Sequence, residues 1–381
     1  MRRLRIAINT MAANPYRRHA WLEDYLTLMR ALAPLAVKEH FLLLTGEGQD
    51  EQAGALPPNV ELLAVPRLHR RGGCPLLFDA MTLPSIIRDQ RIDVLHTSHV
   101  APLAVRCRLV ATMRTLHAYT VPALLPRGVR VARRLATRCA VRRADLVIAP
   151  TRAARRDIAE LFGVETSRLR VVPGAVDCEV YHPAGDRVQL VKVLDRLGVK
   201  SPYVLCVSSL WRYKNVEDLI QAFSVVRRYY PDFKLLVIGY GADAAYRAAL
   251  GDRAADLGLT GSISFREAVD RDAMPWIYRG AQMLVYPSED ETFAAPIIEA
   301  MASGCPVIAT GVPSLVEIAD GCAVHYPARD LDALTKCMLD LIREDDRARF
   351  IARSGVARAK DFSWRNAAEL TLAAYRFAAA G

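Results

Sequence analysis

The sequence predicts an α/β protein made of two doubly wound, parallel-sheet domains, and three observations carry that expectation. Short β-branched and apolar runs alternate with helical patterns along the whole chain. The alternation breaks and restarts near 177–195, where Pro183, Gly185 and charged residues interrupt it. At 381 residues the chain exceeds what one hydrophobic core usually holds, so two cores of roughly 180 residues each are expected.

In the first half the strand-like runs fall at 5–11, 40–45, 60–66, 93–97, 109–115, 145–150 and 169–172. The second half restarts at 203–208 and continues with 234–239, 262–266, 283–287, 306–310 and 323–326. Near-continuous apolar runs such as Leu235, Leu236, Val237 and Ile238 suit strands buried on both faces of a sheet. The predicted domains are 1–180 and 186–362, followed by a terminal segment, 363–381. No low-complexity tract or short repeat interrupts them.

With 52% hydrophobic and 24% charged residues, the composition excludes a disordered or fibrous chain. No apolar run approaches the ~18 residues that span a bilayer, and the apolar stretch after Met1-Arg2-Arg3 is short for a secretory signal. A cytoplasmic protein is therefore expected. The eight cysteines form no C-x-x-C pair, so no zinc or redox motif is written here and buried free thiols are expected. The net charge of +10 is uneven: residues 1–180 hold 27 Lys and Arg against 16 Asp and Glu, whereas 181–381 hold 24 against 25. That asymmetry points to an anionic partner for the first half: a phosphate-bearing acceptor, a membrane surface or nucleic acid.

The most informative segment is Ser288-Glu-Asp-Glu-Thr-Phe-Ala-Ala-Pro-Ile-Ile-Glu-Ala-Met-Ala-Ser-Gly-Cys-Pro-Val-Ile, which reads as acidic loop, helix, glycine turn and strand. Pro296 suits a first helical position and Gly304 a helix end, so a helix is predicted over 295–303. Beyond the carboxyl end of a strand in a doubly wound sheet, such a helix start offers unsatisfied N–H groups to an anion, and a diphosphate is the natural occupant. In Phe293-Ala294-Ala295 the two alanines supply small residues where backbone must approach that anion. Glu291 in the loop and Glu299 one turn into the helix flank the site, and carboxylates accept paired hydrogen bonds from sugar hydroxyls. The alternative is a capping acidic loop with a solvated helical glutamate.

Glu291-x7-Glu299 followed by Ala-Met-Ala-Ser-Gly-Cys-Pro-Val resembles the signature of the retaining GT-B glycosyltransferases of family 4. Asp93-Val-Leu-His, Thr115-Leu-His117, Ala144-Asp-Leu-Val-Ile-Ala-Pro-Thr, Pro173-Gly-Ala-Val-Asp177 and Ser314-Leu-Val-Glu317 fall in that family's order, so the similarity covers most of the chain. The resemblance implies a GT-B fold: two Rossmann-like domains facing across a cleft, the donor nucleotide-diphosphate sugar held mainly by the second. It further implies retention of anomeric configuration, usually no metal, and a final segment, 364–380, that crosses back to the first domain. Residue by residue, it makes Glu291 the contact to the donor sugar, Glu299 the contact to the nucleotide ribose and Lys214 the cation that neutralises the diphosphate. His117, which the strand pattern puts at a strand end, becomes the histidine near donor sugar and acceptor; alone it reads as a structural histidine.

Three positions depart from the family pattern. Ser209 stands where an arginine is common, which leaves Arg212 as the candidate second cation, although its side chain can equally face solvent beside Trp211 and Tyr213. Gly174-Ala175 replaces the usual Asn-Gly of the interdomain turn. The first loop, Thr10-Met-Ala-Ala-Asn-Pro, lacks paired glycines, and Ala12 and Ala13 are the small substitutes for backbone near the diphosphate.

Arg127, Arg130, Arg134, Arg138 and Arg142 recur at spacings of 3, 4, 4 and 4, one stripe of a helix reinforced by Arg133 and Arg143. Val129, Val131, Ala132, Leu135, Ala136 and Cys139 form the opposite face. Such a helix suits anionic lipid or a phosphorylated acceptor, or it is a solvated surface helix packed on its sheet.

The functional expectation is a hexosyltransferase of bacterial envelope polysaccharide or glycolipid synthesis, with GDP-mannose a plausible donor, a glycan or lipid-linked acceptor and no metal cofactor. The alternatives are a GT-B sugar-nucleotide epimerase or glycoside phosphorylase and, more remotely, a nucleic-acid-binding protein. No nucleic-acid motif accompanies the arginine stripe, and the second half is near neutral.

Overall fold

The computed structural model describes residues 3–10, 18–46, 54–65, 83–98, 105–240, 243–267 and 269–380. The chain divides into two units, Met1–Gly174 with Trp364–Gly381, and Ala175–Ser363. The second unit thus begins at Ala175, where the sequence reading placed the join at 180–186. Val176 and Tyr181 bury their side chains in the second unit's core, and Val176 N–H donates to Phe362 O at 2.8 Å. Pro183 and Gly185 break the local pattern without marking the end of a core.

Among the described residues of the first unit, seven parallel strands stand in the order β3-β2-β1-β4-β5-β6-β7. They are β1 (Arg5–Asn9), β2 (His40–Gly46), β3 (Val60–Val65), β4 (Val94–Ser98), β5 (Arg108–Thr112), β6 (Leu146–Ala149) and β7 (Leu169–Val171). The helix Trp364–Ala380 packs on this sheet and on the helix Arg18–Leu32. A polar latch seats it: His96 Nδ1 lies 2.7 Å from Tyr375 Oη, His96 Nε2 lies 2.7 Å from Thr112 Oγ1, and Arg376 Nη2 donates to Glu39 Oε1 at 2.8 Å.

The second unit holds six parallel strands in the order β10-β9-β8-β11-β12-β13. They are β8 (Tyr203–Val207), β9 (Lys234–Ile238), β10 (Ile263–Arg266), β11 (Met283–Tyr286), β12 (Val307–Thr310) and β13 (Val324–Tyr326). Side chains alternate between two cores: Tyr203 and Leu205 of β8 enter one, Val204 and Cys206 the other. Both faces are therefore dry, as the continuous apolar runs required.

Every strand in both sheets lies within or beside a run that the sequence predicted. The seven described cysteines are free, but only Cys206 and Cys305 are buried; the other five are half-buried. Burial raises the Cys206 and Cys305 thiols to about 12, so both stay protonated and inert.

Candidate active site

In the second sheet the strand order reverses between β8 and β11, and ligands of doubly wound sheets bind beyond the carboxyl ends of strands at such a point. Two loops meet there. The first leaves β8 at Ser208, where the chain passes so close to β9's exit that a Cβ on Gly239 would sit 1.7 Å from Ser208 O. Only glycine fits that crossing. The loop tightens into the 3-10 turn Arg212–Lys214 and ends at Asn215, whose φ of 52° lies in the left-handed region that asparagine tolerates. Asn215 Nδ2 donates to Asp218 Oδ2 at 2.6 Å, and this reversal turns Lys214 inward.

The second loop leaves β11 at Pro287. Its backbone is held at three places: Glu289 N–H donates to Tyr213 O at 2.9 Å, Thr310 Oγ1 to Ser288 O at 2.5 Å, and Ser314 Oγ to Glu291 O at 2.7 Å. These contacts bring Glu291 against Lys214. The two form an ion pair with side chains only 8% and 6% exposed. Tyr286, the last residue of β11, joins them: its hydroxyl donates to Glu291 Oε1 at 2.6 Å and accepts from Lys214 Nζ at 3.2 Å. Lys214 Nζ also lies 5.0 Å and 5.3 Å from the ring centroids of Tyr213 and Tyr286.

Desolvating two charges costs several kcal/mol per ion, and a packed apolar pair would usually serve stability as well or better. A buried lysine, carboxylate and phenol at this end of the sheet therefore make it the candidate site.

The helix Ala295–Ala302 follows, with Pro in its first turn and Gly304 at φ +74° after its end, as the sequence predicted. Ala294 is its buried N-cap residue and makes no side-chain cap bond; Ala295 is exposed. Phe293 packs edge-on against Phe362 with centroids 6.1 Å apart, which anchors the loop just before the helix start. Glu299 is half-buried, and its Oε2 accepts a 2.8 Å hydrogen bond from the fully buried Tyr278 hydroxyl. Burial and the adjacent Glu299 carboxylate hold the Tyr278 phenol far above its ordinary pKa, so it remains a donor.

Other candidates lie further out. Ser209 is half-buried; its carbonyl accepts from Trp211 N–H at 3.0 Å. Arg212 is exposed, with its guanidinium 5.1 Å from the Tyr246 ring centroid. Ala12 and Ala13 lie outside the described residues. His117 does not end a strand: β5 stops at Thr112, Met113 N–H makes one further bond to Ile148 O at 2.9 Å, and the chain turns so that Leu116 is buried. His117 then opens a short helix, His117–Thr120, half-buried.

The arginine helix, Arg127–Arg143, forms as expected, and two arginines of its stripe turn inward. Its buried residues are Thr137, Ala140 and Val141, on the side that carries Arg130 and Arg134. Arg130 Nη1 donates to Pro122 O at 2.7 Å and Arg134 Nε to Ala118 O at 2.7 Å, while the Arg134 guanidinium lies 5.2 Å from the Tyr119 ring centroid. The short turns at 117–124 leave carbonyls that need donors, and an arginine stem covers a ring while its head supplies them. Arg127 and Arg138 are exposed.

Two residues around the candidate site escaped the sequence reading. Tyr286 had a signal, since it closes β11 one residue before the acidic loop; Tyr278, inside the helix Met274–Gly280, had none.

Two family models match: Glycosyltransferase Family 4 over residues 25–180 and Glycosyl transferases group 1 over residues 201–344. The chain belongs to the group 1 glycosyltransferases. A D-inositol 3-phosphate glycosyltransferase of Nocardia farcinica is 31% identical over 282 residues, 71% of this chain and 61% of that protein. The O-antigen chain mannosyltransferase B of Escherichia coli is 28% identical over 239 residues, 61% of each chain. The match thus spans about three fifths of these relatives' length. Among solved structures, Anabaena HepE in complex with UDP-glucose superposes with a TM-score of 0.74 at 18% identity, covering 97% of this chain and 99% of that one. That likeness establishes the GT-B fold.

Proposed function

We propose that the chain transfers a hexose from a nucleoside-diphosphate sugar to a glycan or lipid-linked acceptor, with retention of configuration and without a divalent metal. The carrying observation is the buried Lys214, Glu291 and Tyr286 cluster at the strand-order reversal, beside the start of the helix Ala295–Ala302. A diphosphate seated on that helix start meets the N–H groups of Ala294 and Ala295 and draws Lys214 away from Glu291. Glu291, released, accepts hydrogen bonds from sugar hydroxyls. Glu299 keeps one oxygen on Tyr278 and offers the other to a ribose.

In the transfer, the bond from C1 to the diphosphate oxygen breaks, the acceptor hydroxyl oxygen bonds C1, and its proton passes to the departing diphosphate. The charge left on the diphosphate rests against Lys214 and the helix start, groups already in place before the reaction. The O-antigen relative is named a mannosyltransferase and HepE was solved with UDP-glucose, which makes GDP-mannose and UDP-glucose the first donors to try.

A thermal-shift series with GDP- and UDP-sugars, followed by NMR of the product's anomeric centre with and without EDTA, tests this reading. One donor should stabilise in proportion to the logarithm of its concentration over Kd, and the product should keep the donor's configuration in EDTA. Inversion, an epimerised donor with no transfer, or turnover that returns only with added metal would overturn it.

A further inference from the structure

We propose that the outward face of the helix Arg127–Arg143 docks on an anionic lipid bilayer. Its outermost apolar side chains are uncovered: Val131 is 54% and Leu135 64% exposed, one helical turn apart on the same face. Arg138 and Arg142 lie seven residues beyond Val131 and Leu135 on that same face, Arg127, Arg133 and Arg143 are exposed too, and the helix holds no acidic residue. Two of its seven arginines, Arg130 and Arg134, are committed inward to the Pro122 and Ala118 carbonyls, so the outward face is set by backbone contacts within this unit. The residues just before the helix continue the uncovered apolar surface, with Pro122, Ala123 and Pro126 exposed.

Apolar side chains framed by cations match a bilayer with anionic headgroups, in which leucine and valine enter the acyl boundary while arginines stay among phosphates. A nucleic acid is the poorer partner. Single strands require aromatic platforms, which this helix lacks, and a duplex backbone gains nothing from Leu135 at the centre of the face. The helix lies within residues 1–180, which hold the chain's excess of positive charge.

The test is co-sedimentation of the full chain with phosphatidylcholine vesicles and with vesicles containing phosphatidylglycerol, with a DNA duplex as competitor. Binding should require phosphatidylglycerol, weaken with salt and survive the duplex. Arg138→Gln with Arg142→Gln should lower the partition coefficient about 25-fold, at about fivefold per basic residue. Val131→Ser with Leu135→Ser should lower it at least tenfold at unchanged charge. These positions are exposed, so folding should persist, and an unchanged thermal transition checks that. Arg130→Gln is the control: it should shift the transition more than the partitioning. Equal binding to neutral vesicles, no binding to anionic ones, full displacement by DNA, or Ser variants that partition like wild type would each overturn the proposal.

Discussion

Two charged regions of this protein meet opposite fates. In the second unit, Lys214 and Glu291 turn inward and pair beneath two loops; in the first, the helix Arg127–Arg143 keeps most of its charge in solvent around uncovered valine and leucine. The inward pair sits where apolar packing would be the ordinary choice, and the proposed function gives it a value in what it binds. The outward helix inverts the usual arrangement, which makes its apolar side chains available to something outside the unit.

The sharpest way to break that comparison is to remove one member of the pair. Lys214→Ala should lower kcat by at least about a hundredfold, the scale of losing one preorganised partner of a developing anion. It should also destabilise the second unit by about 3–5 kcal/mol, because Glu291 is left buried without its cation. Adding Glu291→Ala should recover part of that stability and none of the activity, with a coupling above ~0.5 kcal/mol in denaturant melts. Additive stability losses would mean the pair does not act as a unit.

Glu299 should behave differently, since its partner is a neutral phenol. Glu299→Ala should weaken binding of the bare nucleoside diphosphate by about 1–3 kcal/mol, whereas Tyr278→Phe should weaken it by less, because the carboxylate stays but loses its anchor. Calorimetry that found Tyr278→Phe without effect would remove Tyr278 from the site. Arg212→Ala should cost less kcat than Lys214→Ala, because the Arg212 side chain is exposed over Tyr246.

The contrast between these regions also explains what could be read from the sequence. The acidic loop was legible because Pro296, Gly304 and small residues at 294–295 punctuate the backbone, and backbone contacts then deliver Glu291 to Lys214. Alternating apolar runs made both sheets legible for the same local reason. The arginine helix was legible as a helix only. Periodicity identifies two faces, but which one packs depended on carbonyls at 118 and 122 and on the Tyr119 ring, none of which periodicity reports. Tyr278 was invisible because it belongs to another helix, and its link to Glu299 exists only in three dimensions.

A further effect, confined to the first unit, depends on pH. Burial, with Arg114 second, lowers the His96 pKa from its usual 6.5 to about 3, so the histidine is neutral between Tyr375 and Thr112. The unfolded chain binds the extra proton between those values. The first unit should therefore hold its full stability above pH 6.5 and lose it as pH falls toward 3, by at most about 1.4 kcal/mol per pH unit. His96→Gln should flatten that slope in pH-dependent melts, and an unchanged slope would assign the acid sensitivity to other groups.

The central claim is that one lysine is shared between Glu291 and the donor's diphosphate, and calorimetric titration of bare GDP and UDP into wild type and Glu291→Gln tests it most directly. With the competing carboxylate neutralised, the preferred nucleotide should bind severalfold more tightly, about 1 kcal/mol, while turnover of the sugar nucleotide collapses. Equal or weaker binding of the bare nucleotide by Glu291→Gln would show that Lys214 is not the diphosphate's partner.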